Sequence, residues 1–98
     1  MKIPKEITVG KRTYKITRPH AIVNPTSMGR TYFKECRIEI AQFDIKANKY
    51  EQGEIEDTFW HELTHTILYD MEHDLRFNER FVTAFANRLS DAVNSAKL

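Results

Sequence analysis

His61-Glu62-Leu63-Thr64-His65 sets two imidazoles four residues apart with a carboxylate next to the first. On an α-helix, residues at that spacing share a face with Cβ atoms about 6 Å apart, so both rings can turn toward one ion. Glu62 is rotated by about 100° from His61, which brings its carboxylate beside such an ion without filling its coordination shell. Zinc held by three protein side chains keeps an open position for water and lowers that water's pKa to about 7. A neighbouring carboxylate can then take the proton and hand it to a leaving group. The pattern points to a zinc site with Glu62 as general base.

A third protein ligand has to come from downstream. Asp70 lies five residues past His65 on the same helix, displaced by more than a turn. Glu72 and His73 fall in the connection that follows, and His73 reaches the ion if the chain folds straight back. Glu79 opens the next helix, and an antiparallel turn over residues 71–77 carries its first turn alongside His65. It also avoids that helix's apolar face, so geometry favours Glu79 over His73. A carboxylate at a helix N-terminus suits the helix dipole as well, which is a reason for Glu79 that needs no metal. Tyr69 can face the ion or pack, and packing is the commoner use of such a residue. His20, beside Pro19 in a loop, reads as a surface histidine.

These side chains need elements to hold them. Ile7 and Val9 alternate with polar residues, Gly10-Lys11 supplies a turn, and Tyr14 and Ile16 resume the alternation, which predicts a hairpin. Arg18 to Thr26, with Pro19 and Asn24-Pro25, reads as loop. Gly29 opens a long alternating run to Ile40 that suits one strand with a buried face. From about Gly53 the period becomes helical: Ile55, Phe59, Leu63 and Ile67 form one stripe, and the helix should end near Asp70. A last helix follows Asn78, a good N-cap, with Val82, Phe85, Ala86, Leu89 and Val93 as its apolar face. Strands first and two helices last predict an α+β domain, a small antiparallel sheet packed on a helix pair.

Ninety-eight residues make one domain, and one this small gains from a bound metal that couples ligation to folding. Hydrophobic residues at 41% and charged residues at 30% are ordinary for a globular protein. Cys36 is the only cysteine, which rules out an intrachain disulfide and an all-cysteine zinc site. The opening residues lack the apolar run of a secretory signal, and no stretch approaches the roughly 20 apolar residues that span a bilayer. A cytoplasmic protein is expected. Residues 1–37 carry nine Lys/Arg against two acids, and residues 38–98 carry six against twelve. Because the basic residues alternate with apolar ones and no nucleic-acid motif accompanies them, they read as the solvated face of a sheet.

The run Asp57-Thr58-Phe59-Trp60-His61-Glu62-Leu63-Thr64-His65, followed by Glu79-Arg80-Phe81-Val82, resembles the ImmA/IrrE-type zinc metallopeptidases. It is most similar to their short phage-encoded members, which open with a hairpin like Ile3 to Gly10 and continue through a Gly-led strand like Gly29 to Ile40. The likeness spans nearly the whole chain, although only the HExxH segment is individually specific. It implies a zincin-like fold, peptide-bond hydrolysis, zinc bound by His61, His65 and Glu79, and a host cytoplasm as the setting. Many relatives have glycine where Thr64 stands, the connection from His65 to Glu79 is short, and the target-binding domains of larger members are missing. A strand ending Arg37-Ile38-Glu39-Ile40 is expected at the sheet edge over the active-site helix, where it could take an extended protein or peptide substrate. The rival reading is a zinc-stabilised binding module, of the phage-encoded kind, that attaches to a host protein without cutting it. In that case His73 joins Glu79 to close the site, whereas an enzyme keeps it open.

Overall fold

The computed structural model describes residues 1–97. Strands β1 (Glu6–Val9) and β2 (Arg12–Thr17) form the expected hairpin, with Val9 paired to Arg12. Gly10 takes φ +61° between them, a left-handed value that suits the first central residue of a tight hairpin turn. Alternation along β2 buries Tyr14 and Ile16 and leaves Thr13, Lys15 and Thr17 in solvent.

The segment expected as loop after β2 contains a two-residue hairpin, β3 (Ile22–Val23) with β4 (Thr26–Ser27), which buries Ile22. The single strand expected from Gly29 to Ile40 is two strands, β5 (Gly29–Tyr32) and β6 (Arg37–Ile40), paired antiparallel. Their turn is closed by the Cys36 N–H donating to the Phe33 carbonyl at 3.3 Å, with Cys36 in the left-handed region at φ +51°. That turn resets the alternation. Gly29 and Thr31 share a face with their partners Ile40 and Ile38, and Tyr32 lies on the other face under the Arg37 guanidinium.

The sheet order is β1-β2-β6-β5. It is mixed, because β6 runs parallel to β2 while the other two pairs are antiparallel. The β6 strand is therefore internal, and the edge near the helices is β5. This corrects the expectation that Arg37 to Ile40 forms the edge.

Helix α1 (Gln52–Asp70) crosses one face of the sheet, and α2 (Glu79–Ser95) packs on α1. The sheet thus meets one helix and not a pair, but the α+β class holds. The core is Tyr14, Ile16, Ile38 and Ile40 from the sheet against Ile55, Phe59 and Leu63 from α1. Ile67, the fourth member of that stripe, is 40% exposed. Steps of four residues advance the side chain by about 40° beyond a full turn, so by the fourth member the stripe has rotated by about 120° away from the sheet. Leu68 is buried instead. On α2 the buried row is Val82, Ala86 and Ser90, while Phe85 (49%) and Val93 (44%) stay exposed. Small residues at 86 and 90 let the two helices approach along that row. Among the described residues, no helix is long and apolar enough to cross a membrane.

Candidate metal centre

Sandwiched between sheet and α2, α1 buries polar residues along with its apolar stripe, among them Glu62, Thr64, His65 and Thr66. It ends in a Schellman arrangement: the Glu72 N–H donates to the Tyr69 carbonyl at 3.0 Å and the His73 N–H to the Leu68 carbonyl at 2.9 Å. Glu72 holds the left-handed position at φ +53°. The chain then turns back through the Arg76 N–H to His73 carbonyl and Asn78 N–H to Leu75 carbonyl bonds. Asn78 caps α2 by accepting the Phe81 N–H at 2.9 Å. This tight return brings Glu79, the first residue of α2, over the two histidines of α1.

His61 Nε2 lies 3.0 Å from Glu79 Oε2, and His65 Nε2 lies 2.7 Å from Glu79 Oε1. The donor atoms of His61, His65 and Glu79 all fall within 4.8 Å of one another, so this group can hold a metal ion. Zinc bonds of about 2.0–2.1 Å in tetrahedral geometry separate donors by about 3.4 Å. Glu79 needs to draw back only slightly, and its side chain is exposed enough to do so.

His65 provides an independent test of fit. Its Nδ1 lies 2.7 Å from the Arg76 carbonyl, which can only accept, so Nδ1 carries the proton. In a neutral imidazole, Nε2 then presents a lone pair to the Glu79 carboxylate, acceptor against acceptor. A cation between them, whether a proton or a metal, resolves that contact. A backbone carbonyl fixing the far nitrogen is also the usual way a histidine ligand is oriented.

Glu62 is 7% exposed and stands outside the donor cluster. Its Oε1 accepts the Thr31 hydroxyl from β5 at 2.8 Å. Burial pushes its carboxyl pKa above the ordinary glutamate value, and the Thr31 hydrogen bond and the two imidazoles pull partly against that shift. Two hollows meet at Gly29, His61 and Glu62. One, of about 340 Å³, passes over His65 and Glu79 toward Phe33 and Phe77. The other, of about 310 Å³, runs from His61 toward Glu54, Asp57 and Asn87.

The other candidates lie elsewhere. His73 Nδ1 accepts the Leu75 N–H at 3.0 Å and stabilises the turn. Asp70 and Glu72 line a separate hollow with Arg12, Tyr69 and Arg76. Tyr69 packs, stacked on Phe33 at 4.1 Å between ring centroids, and His20 is exposed and stacked on Phe43 at 4.3 Å. Sequence reasoning missed Thr31 and Gly29, because both acquire their direction from a turn that carries no glycine, proline or asparagine. No family model, no curated protein and no solved structure matches the chain.

Proposed function

We propose that the protein is a zinc-dependent peptide hydrolase in which His61, His65 and Glu79 hold the ion and Glu62 is the general base. The observation that carries this reading is Glu62 itself. A carboxylate that is buried, kept out of the donor cluster, aimed by Thr31 and set where two hollows meet has no role in a purely structural zinc site. The sequence resemblance to ImmA/IrrE-type metallopeptidases points the same way.

A bound zinc ion supplies Lewis acidity to a water molecule and to a carbonyl oxygen. The chain's residues do the rest. Glu62, its proton affinity raised by burial, accepts a proton from the attacking water and returns it to the departing amine. Thr31 keeps the carboxylate pointed at the opening. The β5 edge offers a place for an extended substrate. Because the Ala41 N–H bonds the Met28 carbonyl at 2.8 Å, the alternating register turns the peptide groups of Gly29 and Thr31 away from β6. A peptide laid there pairs with Thr31 directly above Glu62.

The alternative, a zinc-stabilised module without turnover, calls for a fourth protein ligand to close the site. Among the described residues no further His, Cys, Asp or Glu joins the group. The deciding experiment compares zinc-loaded wild type with Glu62→Gln on a mixed peptide library, with metal content measured on both. Cleavage by wild type alone, at equal zinc, supports the proposal. Equal cleavage by both proteins, or none by either at full zinc occupancy, refutes it.

A further inference from the structure

The hollow on the His61 side differs in chemistry from its neighbour over His65. Its walls are Met28 and Gly29 from the edge of the sheet, Glu54, Asp57 and Thr58 from α1, and Asn87 from α2. No lysine or arginine lines it, although the chain carries fifteen of them. Each carboxylate is held by one oxygen. Asp57 Oδ1 accepts the hydroxyl of the buried Ser90 at 2.7 Å, and Glu54 Oε1 accepts the Glu51 N–H at 3.1 Å across the first turn of α1. Neither takes part in a salt bridge among the described residues. Two exposed carboxylates, each oriented by one hydrogen bond and neither in an ion pair among the described residues, thus stand at the far end of a hollow whose near end is His61 and Glu62.

From this we infer that the hollow is a subsite for a basic side chain, lysine or arginine, of the peptide whose bond is cut. The inference rests on the hydrolase reading and specifies its substrate. At about 310 Å³ the cavity is small enough to be occupied by a single long side chain. Met28 and the Thr58 methyl give the aliphatic stem of such a side chain an apolar surface, and the carboxylates meet its charged end. The His65-side hollow is walled by Phe33 and the exposed Phe77 and contains Arg30; its two carboxylates, Glu62 and Glu79, are those the proposed zinc site itself uses, so they are not free to pair with a substrate cation. Substrates therefore carry a basic residue on one side of the cut bond only.

Two measurements test this. In the first, the zinc-loaded protein digests a proteome-derived peptide library and the cut positions are read by mass spectrometry. Lysine or arginine should be enriched about fivefold at one fixed position next to the cut bond, the discrimination expected of a partly exposed ion pair. The enrichment should fall to background in the E54Q/D57N variant, which keeps the hydrogen-bond acceptors at both positions. In the second, zinc-loaded Glu62→Gln protein is titrated with N-acetyl-arginine amide and, separately, N-acetyl-norleucine amide while backbone amide spectra are recorded. Only the arginine compound should shift Met28, Thr58 and Asn87, and adding E54Q/D57N should abolish the shifts. Cleavage without basic preference, or cleavage accompanied by equal shifts from both compounds, overturns the subsite and leaves the hydrolase standing. Arginine-specific shifts in a protein that cuts nothing uphold the subsite and overturn the hydrolase. Neither cleavage nor arginine-specific shifts overturns both.

Discussion

Replacing Gly29 by alanine should destabilise the fold through one identifiable collision. A Cβ at this position would stand 2.6 Å from Thr58 Cγ2, 3.1 Å from Glu62 Cγ and 3.3 Å from the Glu39 carbonyl oxygen. Backbone conformation is not the obstacle, since Gly29 is ordinary extended strand. Alanine lowers the entropy of the unfolded chain, which favours folding by about 0.4–1 kcal/mol. Forcing a methyl group into a filled contact costs about 1–3 kcal/mol. At the middle of these ranges the steric term wins by about 1.3 kcal/mol, and at roughly 4–8 °C per kcal/mol for a domain of this size the Tm should fall by about 5–10 °C. Thr58→Ser removes the colliding methyl but keeps the hydroxyl that donates to the Glu54 carbonyl at 2.8 Å. Alone it should cost about 1 kcal/mol for the buried methyl. Combined with Gly29→Ala it should recover part of the loss, giving a coupling energy of about 1 kcal/mol in a double-mutant cycle of urea melts followed by circular dichroism. If the two losses simply add, or if Gly29→Ala melts like wild type, then close approach of β5 to α1 is not what this glycine provides.

Zinc at a hundredfold excess over its Kd should stabilise the protein by about 2.7 kcal/mol and raise Tm by about 10–20 °C. Alanine at His61, His65 or Glu79 should remove most of that rise, and coincident melts with zinc and with chelator would count against a metal site. Thr31→Val keeps the side-chain shape but removes the donor to Glu62. A hydrogen bond to a charged group is worth about 1.5–3 kcal/mol, so kcat should fall about tenfold or more, and the acid limb of the pH–rate profile should move upward. An unchanged limb would show that Thr31 does not act on Glu62. In the metal-free protein, burial raises the Glu62 pKa above its unfolded value of about 4.3. Its contribution to stability is therefore full below that pH and is lost as pH rises through the folded value. Glu62→Gln should lack this decline, and parallel urea titrations of the two metal-free proteins from acid to neutral pH would reveal it.

The parts of the fold legible in the sequence are those with a local cause. Gly10 marks the first hairpin, Asn78 marks the start of α2, and the turn after Asp70 is short enough that Glu79 had to return near His65. The β5–β6 turn was hidden because Cys36 holds the left-handed position that glycine or asparagine would advertise; the only other mark of the turn is the break in alternation at Tyr32-Phe33 and Lys34-Glu35, which a single-strand reading passes over. The parallel pairing of β2 with β6 joins residues more than twenty apart and leaves no local trace. On α2, Phe85 and Val93 suggested a buried face by hydrophobicity, yet the helix is seated on Ala86 and Ser90, where size and the hydrogen bond to Asp57 decide. Thr31 could be connected to Glu62 only after the strand register was known.

The Ser27 hydroxyl spans both peptide groups of Gly29, donating to its carbonyl at 2.6 Å and accepting its N–H at 3.3 Å. A sheet margin left bare would invite a second copy of the molecule to zip onto it, and long exposed margins are where native chains begin to polymerise. Here the serine occupies half of a very short border and leaves the stretch at Thr31, where at most a couple of backbone bonds can form. That is little to hold two copies together, and on the hydrolase reading proposed above it is enough to align a flexible guest whose side chains are also held. The same hydroxyl that narrows the doorway takes up the Gly29 pairing groups that a second copy would need.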